Sequence, residues 1–86
     1  MENKASTSLG SVLVVGGTGF IGSHVVQAFL KDPTCTSVNV VSRTPAKDPS
    51  LNATYHLCDI QDIESFRKIL EIVSPRVIVH LVAPST

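Results

Sequence analysis

Apolar residues recur along this chain in two rhythms, unbroken runs and helical spacing. Val12-Leu13-Val14-Val15 and Val77-Ile78-Val79 are unbroken runs. Such runs suit strands covered on both faces of a parallel sheet. The first predicts a strand over Ser11–Val15. From about Phe20 to Leu30, Ile21, Val25, Ala28 and Phe29 fall at i, i+4, i+7 and i+8, one face of a helix. Burial of its three larger members is worth roughly 1.5–3 kcal/mol each. Asp32-Pro33 ends that helix, because a residue before proline avoids the α region. A second strand follows over Ser37–Ser42, with Val38, Val40 and Val41 as its apolar content.

Arg43 to Asn52 is polar, carries Pro45 and Pro49, and reads as a loop. A weaker third strand spans about Ala53–Cys58, with Tyr55 and Leu57 on one face and His56 and Cys58 on the other. A second helix is predicted over Ile63–Val73, with Asp62 as its N-cap and Ile63, Phe66, Leu70 and Val73 as its buried stripe. Glu64 and Lys68 on its outer face are an i, i+4 pair, and Ser74-Pro75 stops it. The last strand is predicted over Arg76–Val82, apolar apart from His80. The order β-α-β-β-α-β predicts an α/β fold of Rossmann type, a parallel sheet in order 3-2-1-4 with its two helices on opposite faces. Four strands amount to the N-terminal half of such a domain. We expect residues 1–10 to be a disordered lead-in and residues 11–86 to be a partial dinucleotide-binding domain.

Between the first strand and the first helix lie Gly16, Gly17, Gly19 and Gly22. They fit both Gly17-x-Gly19-x-x-Gly22 and the wider Gly16-x-x-Gly19-x-x-Gly22. Strand, glycine turn and helix in immediate succession are the context of the dinucleotide fingerprint. Around Gly16 and Gly17 the backbone must turn sharply. At Gly19 a side chain would stand where a pyrophosphate approaches the main chain, and at Gly22 it would push the helix off the strand. The helix mouth then aims free N–H groups and a positive dipole end at the phosphates. A phosphate-binding P-loop shares the Gly17-x4-Gly22 spacing but needs Lys next, where this chain has Ser23 and His24.

The fingerprint expects an acid for the ribose 2′-hydroxyl about 20 residues on. That position carries Ser42, then Arg43. Serine removes repulsion toward a 2′-phosphate and arginine can grip one bidentately, so NADP(H) is favoured over NAD(H). The alternative for Arg43 is a solvated loop residue. Asp59, at the carboxyl end of the third strand, is placed either to meet the adenine amino group or to cap the next helix. His24 reads as a helix-surface histidine and His80 as a hydrogen-bonded core histidine of the last strand.

Composition narrows the picture further. The chain has 86 residues, seven basic and seven acidic, and a formal net charge of zero. That balance gives no electrostatic case for nucleic acid or an anionic membrane. A chain this short buries only roughly 60–65% of its unfolded surface, so its stability is marginal. No apolar run reaches the roughly 18 residues that span a bilayer. The polar N-terminus lacks the apolar core of a signal peptide. Cys35 and Cys58 are too scattered for a disulfide framework or a metal site and read as idle thiols of a cytoplasmic protein. The sheet would end at its fourth strand, so self-association through that edge is expected.

Val12 to Gly22, the pair Asp59-Ile60, and Pro75-Arg76-Val77-Ile78-Val79-His80 followed by Ala83-Pro84 together resemble the extended short-chain dehydrogenase/reductases. Within them the likeness is nearest to the 3β-hydroxysteroid dehydrogenase branch, including fungal-type sterol-4α-carboxylate 3-dehydrogenases. The resemblance implies that Gly16, Gly19 and Gly22 form a pyrophosphate turn with Phe20 and Ile21 as its backbone donors. It implies that Ser42 and Arg43 contact the adenosine ribose, and Asp59 and Ile60 the adenine. Val82, Ala83 and Pro84 would line the cofactor near the nicotinamide ribose. It also implies hydride transfer at a hydroxyl or carbonyl carbon in the whole family protein. Val15 stands where the family commonly has threonine, and Leu81-Val82-Ala83 where the branch has a smaller, more polar run. The family's catalytic Tyr-x-x-x-Lys is absent, since Tyr55 is followed four residues on by Asp59. We therefore expect a cofactor-binding N-terminal portion that does not turn over by itself. A non-catalytic dinucleotide sensor or interaction module, or a truncated gene product, is the alternative.

Overall fold

The computed structural model describes residues 8–16, 18–46 and 49–81. Its elements run in order β1 (Gly10–Val15), α1 (Phe20–Lys31), β2 (Cys35–Ser42), β3 (Thr54–Leu57), α2 (Ile63–Val73) and β4 (Val77–His80). The four strands form one sheet in the order β3-β2-β1-β4, and every pairing is parallel. This is the Rossmann-type α/β arrangement expected from the sequence. Of the lead-in, residues 1–7 lie outside the described residues. Ser8 donates its hydroxyl to the Thr34 carbonyl at 3.1 Å, and the Leu9 amide donates to the Thr34 hydroxyl at 3.2 Å.

The unbroken run of β1 is explained by its place at the centre. Alternate side chains of a strand enter opposite faces, and both faces of β1 are covered. Val12 and Val14 join Val38, Val40 and Val26 of α1 in one core layer. Leu13 and Val15 join Val41 and Cys58 in the other, beneath Phe66, Ile69 and Leu70 of α2. The helices therefore sit on opposite faces, as the reversal of strand order requires. The two core layers are built mainly from β-branched valines, whose stiff side chains suit a pleated surface.

Both predicted helical stripes need correction. In α1 the buried residues are Gly22 and Val26, with Val25, Phe29 and Leu30 partly covered, whereas Ile21 is 68% exposed. Neighbouring helix positions are about 100° apart. Turning Gly22 toward β1 for close approach necessarily turns Ile21 away. In α2 no residue is fully buried, Ile63 is exposed, and Ile69 supplies the contact assigned to it. The outer pair of α2 also differs, because Glu64 accepts from Arg67 at 2.7 Å, one residue short of Lys68. The Asp62 cap holds, since its carboxylate accepts from the Ser65 amide at 3.3 Å. Ser74 closes α2 in the left-handed conformation at φ 49°, its amide donating to the Leu70 carbonyl at 2.8 Å.

Candidate functional site

Strand order changes direction at β1, with β2 on one side and β4 on the other. The carboxyl end of β1 is thus the switch point where open α/β sheets bind ligands. Hydrogen bonds pin this end from both sides. The Gly16 amide donates to the Val41 carbonyl at 2.7 Å, and the Leu81 amide donates to the Val15 carbonyl at 2.9 Å. The chain must then leave the sheet within one residue. Gly16 does so at φ 86°, a conformation that a Cβ disfavours.

Gly19 is a different case. It is the N-cap of α1 at φ −82° and ψ −173°, a conformation open to any residue. A Cβ built on it would meet nothing within 4 Å. Neither backbone strain nor crowding by the chain accounts for glycine there. The space over Gly19 belongs instead to an open cleft of about 670 Å³, lined by Gly16, Gly19, Phe20, Ile21, Gly22, His80 and Leu81. Sequence patterning missed the last two as lining residues. The signal was the register, because His80 pairs with Val15 and so stands level with the start of the glycine turn. His80 is exposed at this cleft, which corrects its reading as a core histidine.

The two helix mouths are built differently. The first turn of α2 is closed by the Asp62 carboxylate and carries Glu64. Hydrogen bonds from Ser65 hold the Asp62 carboxyl below the ordinary carboxylate range. The first turn of α1 has no side-chain cap and no acid. The Gly19 carbonyl already accepts from the Ser23 amide at 2.9 Å, which starts the helical ladder. The amides of Phe20, Ile21 and Gly22 precede that ladder and are the helix's orphan donors. With the positive end of the helix dipole behind them, they suit an anion in the cleft. His24 is exposed one turn on, its ring edge-on to Phe20 at 4.7 Å.

The same sheet edge carries the other candidates. The Cys58 amide donates to the Ser42 carbonyl at 2.9 Å, so the ends of β2 and β3 lie side by side. This brings Ser42 and Arg43 next to the Asp59 turn. Arg43 is exposed, and the Ser42 hydroxyl donates to the Thr44 carbonyl. Asp59 does not cap α2. Its carboxylate accepts from the Gln61 amide at 2.9 Å, while its carbonyl accepts from the Asp62 amide at 2.8 Å. Asp59 remains exposed, and Ile60 turns its side chain into the core beside Val15 and Cys58. Burial and the neighbouring Asp62 and Asp59 carboxylates push the Cys58 thiol up. Val82, Ala83 and Pro84 lie outside the described residues. No helix among the described residues is long and apolar enough to cross a membrane, and none of them gather as a metal-binding group. Tyr55, the sole tyrosine, accepts from the Ser50 amide at 3.0 Å and so braces the loop before β3.

Comparison with known proteins gives the arrangement a family context. The family model of the NAD dependent epimerase/dehydratase family matches residues 12–86. The chain is 35% identical to dTDP-glucose 4,6-dehydratase of Salmonella typhimurium, covering 86% of this chain and 23% of that protein. Among solved structures it is similar to UDP-glucose 4-epimerase of Thermotoga maritima, with TM-score 0.76 and 32% identity, over 88% of this chain and 25% of that one. The fold is also shared with the Bordetella bronchiseptica enzyme WbmG, solved in complex with NAD, with TM-score 0.73 and 18% identity over 88% of this chain and 26% of the other. The chain thus spans about a quarter of the length of these relatives. These matches lie within the extended short-chain dehydrogenase/reductase superfamily that the residues resemble.

Proposed function

The chain belongs to the NAD dependent epimerase/dehydratase family, and on that premise we propose that it holds a nicotinamide dinucleotide for an oxidoreductase. The observation that carries this reading is Gly19. A glycine that the protein's own packing and backbone do not require sits in open space at an uncapped helix mouth. A diphosphate against bare main chain fills that space and uses the orphan amides of Phe20, Ile21 and Gly22. Gly16 sets the turn that brings the strand to this mouth.

The bound cofactor would supply a hydride acceptor or donor. This chain's residues would position it. Ser42 and Arg43 take the adenosine ribose and its 2′-phosphate, which makes NADP(H) the favoured form over NAD(H). Asp59 and the main chain of Ile60 border the adenine, and Ala83 borders the nicotinamide ribose. Tyr55 braces the loop before β3 by accepting from the Ser50 amide, and Asp59 rather than a lysine stands four residues after it, which favours a binding role rather than turnover for the chain by itself. A cytoplasmic setting with Cys35 and Cys58 as free thiols belongs to the same reading.

The narrower steroid branch is part of this proposal and rests on Pro75 to His80 with Ala83-Pro84. Assay of a chain extended by any coding sequence found after Thr86 tests it, with a 3β-hydroxysteroid against dTDP-glucose and UDP-glucose. Turnover of the sugar nucleotides alone would remove the steroid branch. The cofactor assignment is tested by titration with NADPH and NADH. Arg43→Ala should weaken NADPH binding by about tenfold or more, the scale of one lost charge-assisted contact, and NADH binding little. Equal losses would remove the case for NADP(H).

A further inference from the structure

The valine core of the sheet holds one polar side chain. Asn39, in the middle of β2, is the one buried polar residue among those described, set by register between Leu13 of β1 and Thr54 of β3. It shares with Val41 the sheet face on which α2 packs. Its side-chain partner is His56 of β3, whose Nε2 lies 3.2 Å from the Asn39 Oδ1. An amide oxygen only accepts, so Nε2 carries the hydrogen and donates it. A buried polar pair adds little net stability over apolar side chains of like size. What it adds is register, because it closes at one offset of the two strands. We infer that Asn39 and His56 are positioning residues of the carboxyl edge, whose hydrogen bond fixes β3 on β2 at the offset that sets Asp59 beside Ser42 and Arg43. This role rests on the dinucleotide reading above, in which those three residues take the adenosine half of the ligand.

Within β3 little else fixes that offset. The strand is four residues long, Thr54 and Leu57 are exposed, and none of the four is fully buried. A slip of one residue is barred, because it would turn Tyr55 from the α1 core layer to the other face. A slip of two keeps every side chain on its face, and the evenly spaced bonds of a parallel ladder form equally well there. The bond from the Ser50 amide to the Tyr55 hydroxyl joins the strand to its own loop and moves with it. Asn39 separates the alternatives. At the observed offset it stands opposite Thr54 and reaches diagonally to His56, two residues on along the same face. A two-residue slip in either direction puts Cys58 or Thr54 in the place of the imidazole, a weak donor or a short one. Such a slip also moves Asp59 along the edge by about 6.6 Å, two residues of a parallel strand. It breaks the bond from the Cys58 amide to the Ser42 carbonyl, which reports the offset directly.

Backbone amide spectra and hydrogen exchange of the full chain test this with two variants. The double variant Asn39→Leu with His56→Leu removes both polar partners at once, so it should melt at or near the wild-type temperature. Its Cys58 amide should lose protection or give two signals, while the amides of β1 keep theirs. It should bind NADPH about two- to tenfold more weakly, the scale of one hydrogen bond. His56→Gln keeps a donor for Asn39 and should retain one protected Cys58 signal and wild-type affinity. A double variant with one protected Cys58 signal, a His56→Gln chain whose signals divide in the same way, or unchanged NADPH affinity in a chain whose signals have divided would overturn the inference. Should the double variant not fold, His56→Leu takes its place, and equal Cys58 protection in His56→Leu and His56→Gln would overturn it as well. A folded wild type that binds neither NADPH nor NADH, with variant signals that divide as described, would defeat the dinucleotide reading and support the register role alone.

Discussion

Replacing Gly19 with serine should separate stability from binding. The residue is an N-cap in extended conformation, and a side chain there meets open space. Serine is a better N-cap than glycine by a few tenths of a kcal/mol. It also restricts the unfolded chain, which at a compatible conformation is worth about 0.4–1 kcal/mol. The sum is near 1 kcal/mol of added stability, a rise in Tm of about 4–8 °C for a domain of this size. The same hydroxyl would take an amide that the diphosphate needs, and its Cβ would hold the phosphate off the main chain. Loss of one charge-assisted hydrogen bond, about 1.5–3 kcal/mol, lowers affinity by roughly tenfold or more. Gly16→Ser should do the reverse to stability, since φ 86° costs an L-residue about 1–2 kcal/mol. Thermal melts by circular dichroism and titration with NADPH read both effects. A Gly19→Ser chain that is more stable and binds as wild type would refute the assignment of that space to a ligand.

Three further outcomes follow from the same structure. Asp62 has its pKa lowered by Ser65, so its contribution is present above the unfolded carboxylate value and fades as pH falls through the folded one. Urea midpoints at pH 7 and pH 3 should therefore differ less in Asp62→Asn than in wild type, and an equal difference would count against the cap as the cause. Among the described residues β4 pairs with β1 alone, and Ile78 on it is 53% exposed, so this 86-residue chain should self-associate at high concentration. Ile78→Lys should shift it toward monomer in sedimentation, whereas a wild type that stays monomeric throughout would contradict that expectation. Val26→Ala should cost roughly 1–3 kcal/mol by denaturant titration, because Val26 is 1% exposed and holds α1 on Val12 and Val14. A loss no larger than that of Ile21→Ala would contradict the observed face of α1.

What could be read from the sequence follows from which signals are local. The valine run of β1 and the glycines after it specify strand, turn and helix within a few residues, and parallel order then follows from alternation of strands with helices. Helix facing is not local in that sense. Ile21 and Gly22 are neighbours, and hydrophobicity points the first inward while close packing demands the second. Close packing decides, and Ile21 turns to the cleft mouth. β2 is longer than its apolar content indicates, because Cys35 pairs with Gly10 and carries the strand through Thr36. The unbroken run of β4 suggests a strand covered on both faces and so a core place for His80, whereas among the described residues β4 pairs with β1 alone and His80 is exposed. Asp62, directly before Ile63, is legible as the cap of α2, whereas spacing alone leaves Asp59 open between an adenine contact and a helix role. The structure bears out the cap at Asp62 and shows that Asp59 is not one.

Backbone amide spectra of the labelled chain during titration with NADPH bear most directly on the account. Saturable shifts should concentrate at Gly16, at Gly19 to Gly22, at Ser42 and Arg43, and at Leu81, while Gly10 and Arg76 at the other end of the sheet stay put. A dispersed, folded spectrum that does not change on addition of NADPH, or that changes mainly at the amino edge of the sheet, would contradict it.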